Sequence, residues 1–209
     1  MKTVLAFGDS NTWGLMPGSK DLARYPREIR WTGVLQDLCG TIHVIEEGLC
    51  GRTTAFEDAR RPGRNGAEAL GIILASRRPP DAAVVMLGTN DCKSVYSLSA
   101  EAIGSGLVLC LGKLEEVLPP DKILLVSPLL LGKDVWRPEK DPEFGVQSVQ
   151  TCRALKDVYS RIAKERGYAF LAASDCVRAN SADDEHMDEE GHRTFAKAVY
   201  AKLRDMKVI

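Results

Sequence analysis

The stretch VLAFGDSNT, residues 4–12, indicates the fold of this chain. It begins with four apolar residues, which is typical of a short strand buried on both faces. The apolar run stops at GDSN, four residues of the types that favour turns. A turn at this place lifts the hydroxyl of Ser10 to the carboxyl edge of a sheet, where open α/β sheets bind their ligands. The simpler interpretation is a strand-to-helix turn in which Ser10 or Asn11 caps the helix.

Four further apolar runs alternate with segments of helical periodicity. We predict strands at residues 42–45, 82–87, 123–126 and 168–171. Ser99 is placed to cap the third of five predicted helices, which cover residues 31–38, 67–76, 102–118, 149–162 and 189–206. Strands that alternate with helices form a parallel sheet with right-handed crossovers. No shift in composition marks a boundary, so we expect a single domain over residues 1–209.

The composition argues against several classes of function. The chain is 44% hydrophobic and 27% charged, close to the averages of globular domains, and its net charge is −1. No basic run exceeds two residues, which argues against a nucleic-acid groove or a membrane-seeking face. No apolar run reaches the roughly 18 residues of a membrane span. A single lysine precedes the first strand, too little for a signal peptide, so we expect a cytoplasmic protein without nucleic-acid or membrane partners.

The cysteines and histidines are not spaced as metal ligands. The six cysteines include no C-x-x-C pair, and a cytosolic chain of this size does not need disulfides. The three histidines are far from the spacings of zinc sites, so we expect no metal.

His186 differs from the other two histidines because three carboxylates, residues 183–185, precede it in a loop before the last helix. A carboxylate three residues before a histidine can accept a hydrogen bond from its Nδ1, which leaves Nε2 free as a base. A serine nucleophile needs such a base and also donors for the oxyanion. Gly51 offers a backbone N–H after the second strand, and Asn90 offers a side-chain amide after the third. All these residues fall at the carboxyl edge of the predicted sheet.

Taken in order, these blocks resemble those of the SGNH (GDSL-type) hydrolases. The blocks are GDSN at 8–11, glycine at 51, GTND at 88–91 and DxxH at 183–186. More narrowly, the chain resembles the arylesterase/acyltransferase branch at RWTGVL 30–35, VIEEGL 44–49, RTT 52–54 and MLGTND 86–91. The resemblance runs from residue 4 to about residue 200.

The resemblance implies a three-layer α/β/α, flavodoxin-like fold with five parallel strands in the order 2-1-3-4-5. It implies hydrolysis of small carboxylic esters without a cofactor. Carried over by matching motifs, Ser10 is the nucleophile, His186 the base and Asp183 its orienter. The N–H groups of Ser10 and Gly51 and the side chain of Asn90 form the oxyanion hole.

The sequence departs from the family pattern in one block and leaves the orienter ambiguous in another. Asn11 stands where the family name implies leucine. Asp183 and Asp184 are adjacent, so a loop shifted by one residue would make Asp184 the orienter. We also predict that Asp9, Asn11 and Trp13 contact the substrate.

We predict a serine esterase that acts on short, acetyl-type esters through an acyl-enzyme, with acyl transfer to alcohols as a second outcome. A carbohydrate acetyl esterase is the first alternative, and a thioesterase or lysophospholipase is a weaker one. The non-enzyme alternative is a flavodoxin-like phosphate-binding module, although the loop at Ser10 lacks the G-x-x-x-x-G-K-[ST] pattern.

The segment 133–144 is long for a connection and carries Trp136 and Phe144 among charges and prolines. The arylesterase-like branch that the chain resembles forms oligomers in which such loops restrict the active sites. We therefore expect a homo-oligomer in which this segment helps to enclose an active site.

Overall fold

A five-stranded parallel sheet forms the centre of the computed structural model, which describes residues 1–209. The strands are β1 (Thr3–Gly8), β2 (His43–Gly48), β3 (Ala82–Met86), β4 (Ile123–Ser127) and β5 (Ala169–Ala172). They lie in the order β2-β1-β3-β4-β5, and all four pairings are parallel. The predicted strand order is confirmed, and each strand lies within a few residues of its predicted place.

Six helices cover the two faces of the sheet. They are α1 (Ser10–Trp13), α2 (Trp31–Cys39), α3 (Gly66–Ala75), α4 (Ala100–Glu115), α5 (Val146–Arg166) and α6 (Glu189–Asp205). Buried side chains of α2 and α6 form one apolar core with the sheet, and those of α3, α4 and α5 form another. The predicted three-layer α/β/α fold is therefore confirmed. None of the helices is both long enough and apolar enough to cross a membrane.

The side chains of β1 divide between the two cores, as the alternation of a strand requires. Val4 and Ala6 join the core beneath α2 and α6, whereas Leu5 and Phe7 join the core on the other face. All four are buried. The apolar run of β1 is thus explained by its central place in the sheet, between β2 and β3.

The turn after β1 departs from the prediction in one detail. A short helix, α1, begins at Ser10, and its cap is Asp9 rather than Ser10 or Asn11. The Asp9 carboxylate accepts a hydrogen bond from the Asn11 N–H at 3.0 Å. Ser10 is consequently the first helical residue, and its hydroxyl is not engaged in capping. Elsewhere the predicted cap is confirmed, since the Ser99 hydroxyl accepts from the Ala102 N–H at 3.2 Å.

Gly8 allows the end of β1 to lie close to its neighbours. A Cβ at this position would come within 2.1 Å of the Thr12 hydroxyl oxygen and 2.8 Å of the Met86 carbonyl oxygen. Only glycine avoids both contacts without moving backbone. The turn that carries Ser10 is thereby packed directly against the end of β3.

Candidate active site

Three side chains from two distant parts of the sequence meet at the carboxyl edge of the sheet. The Ser10 Oγ lies 2.8 Å from Nε2 of His186, and Nδ1 of His186 lies 2.8 Å from Oδ2 of Asp183. Ser10 begins α1 directly after β1, whereas Asp183 and His186 belong to the loop between β5 and α6. The structure thus brings together the three residues that the sequence predicts as nucleophile, base and orienter.

The loop from Asp183 to His186 is held in shape by the Asp183 carboxylate. Its Oδ1 accepts hydrogen bonds from the N–H groups of Glu185 and His186, both at 3.0 Å. Its Oδ2 accepts a further bond from the Gly18 N–H at 2.8 Å. One carboxylate therefore shapes the loop, fixes the imidazole and joins the loop to the long segment after α1.

Asp184, the second of the two adjacent aspartates that could orient His186, points away from the imidazole. Its backbone adopts a left-handed conformation, with φ of 60°. Its carboxylate pairs with Lys140 Nζ at 2.6 Å, and its carbonyl oxygen accepts from the Gly132 N–H at 2.8 Å. Asp184 thus ties the loop to the segment between β4 and α5, and only Asp183 contacts His186.

The pKa values of Asp183 and His186 are set by their burial and by charges and hydrogen bonds close to them. Burial alone would raise the pKa of Asp183, but the hydrogen bond and charge of His186 lower it to about 2. Burial alone would lower the pKa of His186, but the charge of Glu185 and the hydrogen bond to Asp183 raise it to about 9. The carboxylate is therefore charged at neutral pH, as an orienter must be.

The three hydrogen-bond donors predicted for the oxyanion lie just after the ends of three strands, β1, β2 and β3. The N–H groups of Ser10 and Gly51 donate to no acceptor within the chain. Gly51 adopts φ of 82°, a conformation that favours glycine. The Asn90 side chain donates one N–H to the Arg52 carbonyl oxygen at 3.1 Å, which leaves its second N–H unbonded. Ser10 and Asn90 are only 3% and 2% exposed, so these donors lie in a site largely closed to water.

The chain matches the family model of the GDSL-like lipases and acylhydrolases over residues 6–194. The chain belongs to this family. The carbohydrate acetylesterase Est24 of Sinorhizobium meliloti has a similar structure, with 33% sequence identity, a TM-score of 0.86 and coverage of 99% of this chain and 100% of that one. The aryl esterase of M. smegmatis has 31% identity and a TM-score of 0.88 over 99% of this chain and 100% of that one. No curated protein sequence matches the chain significantly.

Family membership and these structural neighbours make the GDSL-like chain a carboxylic ester hydrolase. The recognition from sequence motifs is confirmed. The alternative of a phosphate-binding module is wrong, because the family is one of acylhydrolases.

The sequence predicts substrate contacts for Asp9, Asn11 and Trp13. In the structure, these side chains contact other residues of the hydrolase. Asn11 binds the loop that carries His186. Its Oδ1 accepts from the Met187 N–H at 3.0 Å, and its Nδ2 donates to the Glu185 carbonyl oxygen at 3.3 Å. Asp9 is buried and caps α1. The Trp13 ring lies under the guanidinium of Arg24, 4.9 Å from it. Substrate contact by these three residues stays a prediction, and the bonds of Asn11 give it a positioning role.

Arg52 is a residue of this hydrolase site that the sequence analysis did not identify. Its guanidinium donates to the carbonyl oxygens of Gly8, at 2.9 Å, and of Glu47. It also lies 4.3 Å above the Phe7 ring, and its own carbonyl oxygen receives the Asn90 side chain. A single buried arginine thus joins the ends of β1 and β2 to the turn after β3. Its only sequence signal is its place in the RTT block beside Gly51.

Proposed function

We propose that this hydrolase cleaves short, acetyl-type carboxylic esters through an acyl-enzyme formed on Ser10. The observation that carries the proposal is the unbroken series of 2.8 Å contacts from the Ser10 hydroxyl through His186 to Asp183. Such an arrangement activates a hydroxyl, because the neutral imidazole accepts its proton while the carboxylate stabilises the resulting charge.

The reaction proceeds in two half-reactions. Ser10 Oγ attacks the ester carbonyl carbon while Nε2 of His186 accepts the hydroxyl proton. The oxyanion receives hydrogen bonds from the N–H groups of Ser10 and Gly51 and from the Asn90 amide. Collapse breaks the bond to the alcohol oxygen, which takes the proton from His186. Water then gives a proton to Nε2 of His186 as it attacks the acyl carbon. Collapse breaks the bond to Ser10 Oγ, which takes the proton back from His186, and the carboxylic acid is released.

A preference for short acyl groups is supported by the enclosure of the reacting groups. Ser10 and His186 are only 3% and 6% exposed. A long acyl chain would need an apolar channel that starts at Ser10.

Nitrophenyl esters from acetate to palmitate test this proposal. We expect the highest kcat/KM with acetate and a steady fall with chain length. Ser10→Ala should abolish turnover and leave the melting temperature unchanged, whereas Ser105→Ala, which alters an exposed serine on α4, should change neither. A serine-directed organophosphate should label Ser10. Substantial turnover by the purified Ser10→Ala variant would contradict the mechanism.

The second candidate is deacetylation of carbohydrates, which the 33% identity with the carbohydrate acetylesterase Est24 supports. Acetylated sugars in the same assay compare this activity with aryl ester hydrolysis. Acyl transfer is measured in parallel as the fraction of acetate that appears on an added alcohol instead of water.

We further propose a homo-oligomer in which the segment 133–144 borders an active site. Val135 and Phe144 are buried and anchor this segment, while Trp136 remains 36% exposed. The segment is also tied to the catalytic loop through Lys140 and Asp184. Light scattering should give a mass well above the 22.9 kDa of one chain. Trp136→Ala should weaken assembly or broaden acyl-length selectivity, and a variant unchanged in both would contradict the role of this segment.

A further inference from the structure

One carboxylate beside Ser10 and His186, that of Glu185, accepts no hydrogen bond from another residue. Glu185 has a side chain that is 6% exposed, and its Oε1 lies 3.8 Å from Nε2 of His186. Its backbone is fixed on both sides, because its N–H donates to Asp183 and its carbonyl oxygen accepts from Asn11. Neither carboxylate oxygen receives a hydrogen bond from any residue of the chain. The carboxylate is therefore held in place beside His186 with no hydrogen-bond donor from the chain.

The surrounding charges compensate for this burial only in part. Burial raises the pKa of Glu185, and the charges of His186 and Lys93 oppose that rise. Nε2 of His186 lies 3.8 Å away, beyond hydrogen-bond distance, and the Lys93 ammonium is already paired with Glu143 and Asp141. A buried carboxylate without a hydrogen-bond donor costs stability. A destabilising group of this kind at a reaction centre is typical of one that acts on a ligand.

The place of Glu185 relative to His186 assigns it to the alcohol side of the substrate. His186 Nε2 must deliver its proton to the leaving alcohol oxygen, so this oxygen lies against Nε2 during the reaction. Glu185 flanks the same nitrogen. A hydroxyl on the carbon that follows the one bonded to the ester oxygen would accordingly fall within reach of the Glu185 carboxylate.

We propose that Glu185 selects esters whose alcohol part carries a free hydroxyl beside the acylated oxygen, as in monoacetates of polyols and sugars. The inference rests on the proposed esterase mechanism at Ser10. Carboxylate oxygens accept hydrogen bonds, and a neighbouring hydroxyl donates one. An alcohol part without that hydroxyl leaves Glu185 unsatisfied in the complex, and sites built around a substrate hydroxyl discriminate strongly against analogues that lack it.

A pair of isosteric esters tests this inference. 2-Hydroxyethyl acetate and propyl acetate differ only in a terminal hydroxyl in place of a methyl group. The measured quantity is the ratio of their kcat/KM values, compared between the wild type and its variants, so that intrinsic reactivity cancels. Glu185→Leu should lower the ratio about tenfold or more, as expected for loss of a hydrogen bond to a charged group. Glu185→Gln, which keeps a neutral acceptor, should lower it less.

Glu116→Leu is the matched control, because the Glu116 side chain is 64% exposed and lies at the C-terminal end of α4, away from the site. It should leave the ratio unchanged. If the leucine variant does not fold, the glutamine variant decides alone.

An unchanged ratio in Glu185→Leu, or in Glu185→Gln when that variant decides, overturns the inference. Equal losses on both esters overturn it as well, because Glu185 would then act only through His186. Failure of the esterase mechanism gives a different result. In that case the wild type hydrolyses neither ester, or Ser10→Ala hydrolyses both as fast as the wild type.

Discussion

Two buried histidines six residues apart have opposite chemistry in this molecule. His186 lies in a loop among carboxylates, and its pKa is raised to about 9, mainly by the charge of Glu185 and the bond to Asp183, against the opposing effect of burial. His192 lies in α6 and is fully buried, and burial lowers its pKa to about 4. Its Nδ1 accepts from the Trp31 N–H at 3.3 Å, and its ring packs edge-on against Tyr25. Burial alone therefore does not mark a functional histidine, whereas the partners of its ring do.

Of the substitutions that test the difference between the two histidines, removal of the Asp183 carboxylate should have the largest effect on activity. We expect Asp183→Asn to lower kcat by about 10⁴, because the imidazole loses its tautomer control and charge stabilisation. Asp184→Asn is the matched control and should change kcat little, since Asp184 pairs with Lys140 and not with His186. Steady-state kinetics on nitrophenyl acetate measure both. A larger loss in Asp184→Asn would reverse the assignment.

The position of the His186 loop depends on Asn11, which bonds to the loop on both sides of the histidine. We expect Asn11→Ala to lower kcat by roughly 10², the size of effect that a displacement of about 1 Å produces. KM should change less, because Asn11 makes these bonds to the protein. A rise in KM without loss of kcat would instead support the predicted substrate contact of Asn11.

The pH dependence of activity should separate the two histidines. His186 must be neutral to accept a proton, and its pKa is raised to about 9. We therefore expect kcat/KM to rise with pH through about 9, and to fall roughly tenfold per unit on the acid side. Glu185→Gln should lower the midpoint, because it removes a negative charge that stabilises the imidazolium. A plateau already reached at pH 7 would contradict the environment described for His186.

His192 should affect stability and not catalysis. Its folded pKa of about 4 lies below the ordinary value of 6.5, so the unfolded chain binds this proton first as the pH falls. The free energy of unfolding should consequently decrease between pH 6.5 and 4, by roughly 3 kcal/mol from this group. His192→Gln, which can still accept from Trp31, should remove this part of the pH dependence and keep kcat. Denaturant titrations of the wild type and of His192→Gln at several pH values measure this free energy of unfolding.

Much of the fold follows from local patterns. The apolar run at β3 and the capping serine at residue 99 specify their elements without help from distant residues. The parallel order and the edge at which the site forms follow from the alternation of strands and helices. The motif blocks then place Ser10 and His186 at that edge.

The remaining details depend on contacts between distant residues. Asp184 points outward because Lys140, in another loop, pairs with its carboxylate. Arg52 is buried because the carbonyl oxygens of Gly8 and Glu47 converge on it. Neither contact has a spacing that a sequence pattern could reveal. The acidic run before His186 did carry a signal for Glu185, but only the structure separates the three roles of those carboxylates.

The contacts of Arg52 have a consequence for how the site fails on heating. Its guanidinium binds carbonyl oxygens at the ends of β1 and β2, and its own carbonyl oxygen binds Asn90 after β3. Of these strands, β1 and β3 lie inside the sheet and β2 lies at its edge. Central strands are the part of a fold that opens last in hydrogen exchange. Ser10 and Asn90, which follow β1 and β3, should therefore separate only when the sheet itself opens, and we expect thermal inactivation to coincide with global unfolding.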